Sequence, residues 1–385
     1  MLRGTTRRVL VVVVSVGALA ATLAPAGANE SHVGTQAALD AITEGGTPGA
    51  LARVDGPSGP RDVWYGASGV ADLDTRRPRL PHDRFRAASI TKPFTATVLL
   101  QLDAEGELSL DDSVEEWLPG VVRGNGYEGS EITLRQLLNH TSGIYNYNYD
   151  PDFLGRFTEE EFFENRFEGA TPEELVGIGL SHPPVFEPGA GWEYSDTNYI
   201  LAGMVIEEAT GRSYATEVRE RIIKPLGLRG TSLPGTSPAL PPPHGRHYST
   251  LQLAVDEPDP DAAVHDVTEF NPSVAWSAGE IVSTTRDLNH FLAALLRGEL
   301  LPDSQQEEMF TGVPSGEGET YGLGVRSWKL ACGVTVWGHG GMVPGSLSRL
   351  AGTRDGEHVL SLNRNGDWGD EALEDAVLEA EFCGE

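Results

Sequence analysis

Ser89 and Lys92 stand three residues apart in Ala88-Ser89-Ile90-Thr91-Lys92. On a helix that spacing puts a hydroxyl and an amine on one face, a single turn apart. Lysine is scarce: Lys92, Lys224 and Lys329 are the only three, and Lys92 alone follows a serine at this interval. A neutral lysine can take a serine proton, whereas arginine stays charged and cannot. The positive end of a helix dipole beside the pair disfavours the ammonium and helps supply a free amine. Pro93 suits the first turn and marks where the helix begins. Alone, a Ser-x-x-Lys is more often a capping serine and a solvated lysine. Its company decides.

Two further stretches supply that company. Glu187-Pro188-Gly189 is a turn, and Trp192 to Tyr199 runs from it towards a helix, so Tyr194 sits on a loop just before a helix start. Near a lysine its phenol is expected to become more acidic, because positive charge stabilises phenolate. Trp337-Gly338-His339-Gly340-Gly341-Met342 joins one apolar strand to the next. Glycines around a histidine let backbone come close to a substrate, and N–H groups at such an edge are donors for an oxyanion. Taken singly, Tyr194 reads as a half-buried core residue and His339 as a turn residue. Rival chemistries lack their signatures. There is no Gly-x-Ser-x-Gly elbow and no His-Glu-x-x-His, and His244 and His247 fall in a proline-rich stretch.

These residues need elements to hold them. Gln36–Glu44 reads as a helix, and alternation at 50–54 and 63–65 around a Gly/Pro turn reads as two strands, with a third short run over Gly69–Leu73. Helical spacing runs from Ile90 to Glu105 and stops at Gly106. Further helices are expected over 134–139, 199–209, 215–223 and 286–297, the last capped by Ser283 or Thr284. The prolines between Leu233 and Pro260 rule out regular structure there, so a long surface connection is expected. Strands return over 322–327, 333–338, 346–351 and 358–362, with a turn at Asp355-Gly356, and 370–382 closes as a helix. Strands at both ends with helices between imply a mixed α/β (α+β) fold.

The chain has 385 residues and a formal charge of −29, from 28 Lys plus Arg against 57 Asp plus Glu. Such a surface repels nucleic acid and anionic membranes. Arg3, Arg7 and Arg8 precede an apolar run from Val9 to Ala24 and a small-x-small site at Ala26-Gly27-Ala28. That is the layout of a secretory signal cleaved after Ala28; an uncut anchor and a twin-arginine route stay open. A secreted, extracellular protein without a membrane anchor is expected. Export puts Cys332 and Cys383 in oxidising surroundings, where an even count points to one bridge, two buried thiols being the alternative.

In this order, Ser89/Lys92, Tyr194/Asp196 and His339/Gly341 resemble the penicillin-recognising serine hydrolases: class C β-lactamases, secreted D-alanyl-D-alanine carboxypeptidases and related esterases. Leu137–Gly143, Tyr321–Gly324 and Ser277–Gly279 add to the resemblance, which spans the whole mature chain and is closest to the carboxypeptidases. It implies a β-lactamase/transpeptidase-like fold over 29–385. An antiparallel sheet from about 29–85 and 275–385 would be flanked by helices and joined to an all-α lobe at 86–274. It implies that Ser89 forms an acyl-enzyme after losing its proton to Lys92 and Tyr194, with the Ser89 and Met342 N–H groups holding the oxyanion. His339 would bond Tyr194 or guide a proton, and Arg326 would grip a substrate carboxylate. The implied partner is a peptidoglycan-type peptide, a β-lactam or an ester. No cofactor or metal is implied, and a monomer is expected. β-Lactamase or esterase action, or a non-catalytic cell-wall binding role, are the alternatives. Three positions depart from the family pattern. Asp196 replaces an asparagine, Gly340 a hydroxyl residue, and Met342 a small polar one. Phe153, with Tyr145, Tyr147 and Tyr149, is expected to wall the acyl side of the cleft or to pack in the core.

Overall fold

A computed structural model describes residues 32–59, 61–252, 259, 261–370 and 372–384. The expected leader and its cleavage site at Ala26–Ala28 lie outside the described residues. Helix α1 (Val33–Glu44) precedes a hairpin of β1 (Gly49–Asp55) and β2 (Val63–Gly69). The middle of the chain carries α2 (Thr91–Glu105), α3 (Asp196–Thr210) and α4 (Thr285–Leu296). Six strands follow: β3 (Val313–Gly316), β4 (Glu319–Tyr321), β5 (Arg326–Lys329), β6 (Thr335–Val343), β7 (Ser346–Thr353) and β8 (Val359–Arg364). Helix α5 (Ala372–Cys383) closes the chain.

The eight strands form one antiparallel sheet, ordered β2-β1-β8-β7-β6-β5-β4-β3. The N-terminal hairpin thus pairs with the last strand. Strands β1 and β8 are almost wholly buried because both faces are covered. Leu39, Ile42, Val377 and Leu378 of α1 and α5 pack on Ala50, Ala52, Val54, Leu360 and Leu362. On the other face Phe291 and Leu292 of α4 join a core that includes Phe94, Leu99 and Leu137. The antiparallel, helix-flanked sheet built from both ends is the expected fold.

Local chemistry sets the element ends. Helix α2 stops at Gly106 and α3 at Gly211, each in the left-handed region at φ +75° and +64°. Thr284 caps α4 by accepting the Asp287 N–H at 3.2 Å. Three readings are corrected. The run 322–327 is not one strand: Gly322-Leu323-Gly324 is a turn between β4 and β5, with Gly324 at φ +79°. Nothing beyond Gly69 continues β2, because Val70 makes only an isolated bridge to Pro78. The connection after Leu233 is not wholly on the surface or irregular, since Leu240, His247 and Leu251 are buried and Tyr248–Ser249 pairs with His265–Asp266. Cys332, in the turn before β6, is bonded to Cys383 at the end of α5, Cα atoms 5.7 Å apart. Among the described residues no helix is long and apolar enough to cross a membrane.

Candidate active site

Ser89 occupies a single 3-10 turn, Ala88–Ile90, that leads into α2. Ala88 carries φ +50°, a left-handed conformation that costs a non-glycine residue of order 1 kcal/mol and that the surroundings must enforce. They do so with hydrogen bonds. Ala87 N–H donates to Ile281 O at 2.8 Å, Thr91 Oγ1 donates to Ala88 O at 2.7 Å, and Ile281 N–H donates back to Thr91 Oγ1 at 3.1 Å. Strand β6 presses on the same turn. A Cβ at Gly341 would stand 2.4 Å from Ala87 O and 3.2 Å from Ser89 N, so only glycine lets the strand lie there. The Met342 amide follows directly, while the Met342 side chain is exposed on the cavity rim.

Lys92 is fully buried. Its Nζ donates to Ser89 Oγ at 3.1 Å, to Ala278 O at 3.0 Å and to an Asp196 carboxylate oxygen. Those three acceptors use all three hydrogens of an ammonium. The amine lies 4.8 Å from the Tyr194 ring centroid and 5.5 Å from that of Tyr199. Serine, lysine and tyrosine therefore meet at one point. Asp196, expected at the substrate, is the first residue of α3 and lines the cleft, with its carboxylate held by two protein donors. One oxygen meets Lys92 and the other accepts from Asn148 Nδ2, and the carboxylate lies next to the cavity.

The phenol of Tyr194 does not become more acidic. Burial, and then the Asp196 carboxylate, push it well above its ordinary value, outweighing the Ser89 hydrogen bond and the Arg326 charge. The expectation failed first because the phenol is buried, and then because the neighbouring lysine brings its own counter-charge in Asp196. His339 also differs from expectation. Its ring centre is 6.2 Å from that of Tyr194, and its Nδ1–H donates to the Gly340 carbonyl. Nε2 accepts from the Tyr321 hydroxyl at 2.9 Å, so the histidine ties β6 to β4. Burial, reinforced by the Lys92 charge, holds His339 well below the ordinary imidazole value.

Two contributors were missed. His140, fully buried at φ +63°, accepts the Ser195 N–H and Asn198 Nδ2 at 3.2 Å each through Nδ1, and its ring centre lies 4.4 Å from that of Tyr194. It sets the tyrosine's backbone and braces its ring, and the only hint was its place in Asn139-His140-Thr141-Ser142-Gly143. Arg349 is the second. It pairs with Gly340 across β6 and β7, and a Cβ at 340 would meet its Nη1 at 2.8 Å. The room left by the absent hydroxyl side chain is filled by a guanidinium.

The cleft above Ser89 encloses about 500 Å³. Leu154, Phe157, Phe270 and Val274 are among its apolar lining, and Arg326 and Arg349 line it too. Arg326 is held by the Glu319 carboxylate, and Arg349 lies 3.5 Å from Glu374 and 3.8 Å from Asp375. Phe153 is a core residue, packed edge-on against Tyr147 at 5.0 Å and Phe157 at 5.7 Å and absent from the cleft lining. Tyr145 stacks on His182 at 4.1 Å, and of the three tyrosines Tyr147 and Tyr149 reach the cleft.

A model of the β-lactamase family matches residues 34–382. The chain is 51% identical to a crystallised D-stereospecific amidohydrolase from Streptomyces sp., covering 92% of this chain and 99% of that one at a TM-score of 0.85. It is 29% identical to the D-amino acid amidase from Ochrobactrum anthropi SV3, solved with L-phenylalanine amide, covering 91% and 98% at a TM-score of 0.77. Penicillin-binding protein 4* of Bacillus subtilis (strain 168) is 32% identical over 277 residues, 70% of this chain but 57% of that protein. The chain thus spans little more than half the length of that curated relative. A match from end to end of the described residues, on a fold that gathers the motifs of the resemblance around one cleft, means that the chain belongs to the β-lactamase family of serine hydrolases.

Proposed function

We propose that this protein is an exported amidohydrolase that acylates Ser89 with small D-configured amides and releases ammonia or a neutral amine. Ser89 Oγ attacks the carbonyl carbon, Lys92 takes its proton, and Tyr194 stands by as a neutral hydrogen-bond donor. The backbone N–H groups of Ser89 and Met342 face the developing oxyanion. The observation that carries the leaving-group preference is the pairing of Arg326, which lines the cleft, with Glu319. A leaving group that carries a carboxylate would meet a guanidinium already neutralised, whereas ammonia or a neutral amine departs without needing a free positive charge. The 51% identity to a D-stereospecific amidohydrolase supports the D configuration.

Carboxypeptidase action on D-Ala-D-Ala peptides is the second reading, favoured by the place of Arg326 on the cleft wall. One comparison separates them: ammonia release from D- and L-phenylalanine amide, D-Ala release from a D-Ala-D-Ala peptide, and hydrolysis of a cephalosporin and a short-chain ester. The amide reading requires the D-amide to be the best substrate, and faster D-Ala release would overturn it. A fluorophosphonate should leave its mass on the peptide containing Ser89. Export is supported by the Cys332–Cys383 bond, and Asn29 at the N-terminus of the secreted protein is the expected result of sequencing.

A further inference from the structure

We infer that Asp196 is the proton store of the reaction: it takes the proton that Lys92 carries at rest and keeps it through each turnover, so that a buried lysine serves as a base without exchanging protons with water. This rests on the serine-hydrolase reading above.

The geometry poses the problem and supplies the answer. Lys92 has no contact with solvent, and its three acceptors are Ser89 Oγ, Ala278 O and Asp196. An ammonium with every hydrogen engaged cannot accept a proton from serine. A hydroxyl and a peptide carbonyl cannot relieve it, since neither is a useful base in this range. A carboxylate can. Shifting one proton from Lys92 Nζ to Asp196 turns a buried ion pair into a neutral amine and a neutral acid. A poorly solvated site penalises that exchange least, because it removes two buried charges.

The protons then balance. Ser89 Oγ bonds to the substrate carbonyl carbon, its proton moves to Lys92 Nζ, and the carbonyl π pair moves onto oxygen. When the C–N bond breaks, Lys92 returns that proton to the leaving nitrogen, directly or through the Tyr194 hydroxyl. In deacylation water gives a proton to Lys92 as it attacks, and Lys92 passes it to Ser89 Oγ as the ester bond breaks. Asp196 holds its own proton throughout and gives it back to Lys92 at rest.

The other groups around the pair leave the middle of the pH range to it. The phenols facing the carboxylate are all raised by burial, then by the charge of Asp196 at Tyr147 and Tyr194, and by that of Glu193 and next Asp196 at Tyr149. Those nearer the amine, Tyr199 and Tyr321, are raised by burial first. His140 and His339 are held well below the ordinary value by burial and the Lys92 charge, with Arg326 adding to it. None of them changes charge near neutrality.

The test is the pH dependence of kcat/KM for the D-amide in the full-length enzyme and in Asp196→Asn, a change that preserves shape and an oxygen acceptor for Lys92, while Asn148 must turn its carboxamide to accept where it donated. In the wild type the proton passes between Lys92 and Asp196 without leaving the pair, so a profile flat near neutral pH is the expected result. In Asp196→Asn the lysine must lose its proton to water before each acylation. Activity at neutral pH then falls by at least roughly tenfold and climbs about tenfold per pH unit on the alkaline side. Asn148→Ala strips a hydrogen bond from the carboxylate, favours its protonation, and should move the wild-type acid limb to higher pH. Thermal unfolding and fluorophosphonate labelling at alkaline pH verify that both variants fold. A profile in Asp196→Asn that keeps the wild-type shape overturns the proton-store role. No labelling of Ser89 in the wild type overturns the serine-hydrolase reading instead.

Discussion

Gly341→Ala is the smallest change that tests whether the contact between β6 and the turn bearing Ser89 positions the reaction. The added Cβ would sit 2.4 Å from Ala87 O, whereas ordinary contact begins at 3.4 Å, so strand and turn must separate by the difference, 1.0 Å. Ala87 O cannot swing aside cheaply, because it accepts the Ile90 N–H at 3.2 Å and so closes the turn that presents Ser89. Displacing a reacting group by about 1 Å can cost roughly 100-fold in rate. Two amides proposed to hold the oxyanion would be pulled apart together, so kcat should fall by about 100-fold or more with KM changed less. Gly340→Ala is the internal control. Its Cβ would also meet an atom closely, Arg349 Nη1 at 2.8 Å, but that atom ends a flexible side chain and can move. Single-turnover acylation, measured beside thermal unfolding, separates a site effect from a folding one. If folded Gly341→Ala acylates within about threefold of wild type, the strand does not set the nucleophile's position and the oxyanion assignment to Ser89 and Met342 falls with it.

Glu319→Gln should free Arg326 and raise kcat/KM for a D-Ala-D-Ala peptide relative to the D-amide. The expected gain is roughly three- to tenfold, kept small because both partners are partly exposed, and an unchanged ratio would remove the leaving-group argument. Cys332→Ser with Cys383→Ser opens a link across a sequence separation of 51 residues and should lower unfolding free energy by about 4 kcal/mol on the chain-entropy model, read by denaturant titration. Burial alone would raise the Glu381 carboxyl. Hydrogen bonds from His358, Thr35 and His32 outweigh it and hold the group below its ordinary value. Its stabilisation is therefore complete above the ordinary glutamate range and lost as pH falls through the depressed folded value. The melting temperature of Glu381→Gln should lie below wild type at neutral pH, and the gap should close in acid.

Much of this fold was legible because its signals are local. Gly106 ends α2, Thr284 caps α4, and the alternation at 50–54 and 63–65 gave the hairpin that pairs with β8. The short helices Pro151–Gly155 and Pro172–Leu180 were missed although Asp150 and Thr171 cap them, because five and nine residues carry too little periodicity to stand out. The break at Gly322–Gly324 was read as strand, since a glycine-rich apolar run looks extended until φ +79° at Gly324 is seen.

The site was legible in its nucleophile and illegible in its charges, and the reason is distance along the chain. Ser89 and Lys92 are three residues apart, so helical geometry alone brings them together. The partner that governs Lys92 lies 104 residues away at Asp196, and burial, with the charge of that partner added to it, reversed the expected shift of Tyr194. Gly340 and Arg349 face each other only because β6 and β7 pair in one register, which makes a missing hydroxyl and an inserted guanidinium a single feature. A departure from a family motif therefore has no chemical meaning by itself. At 196 an asparagine replaced by aspartate changes the proton count of the base. At 340 the space of a lost hydroxyl is taken by the Arg349 guanidinium on the cleft wall. Both consequences are set by contacts that only the folded chain makes: the first bears on the base beside Ser89, the second on what the cleft can hold.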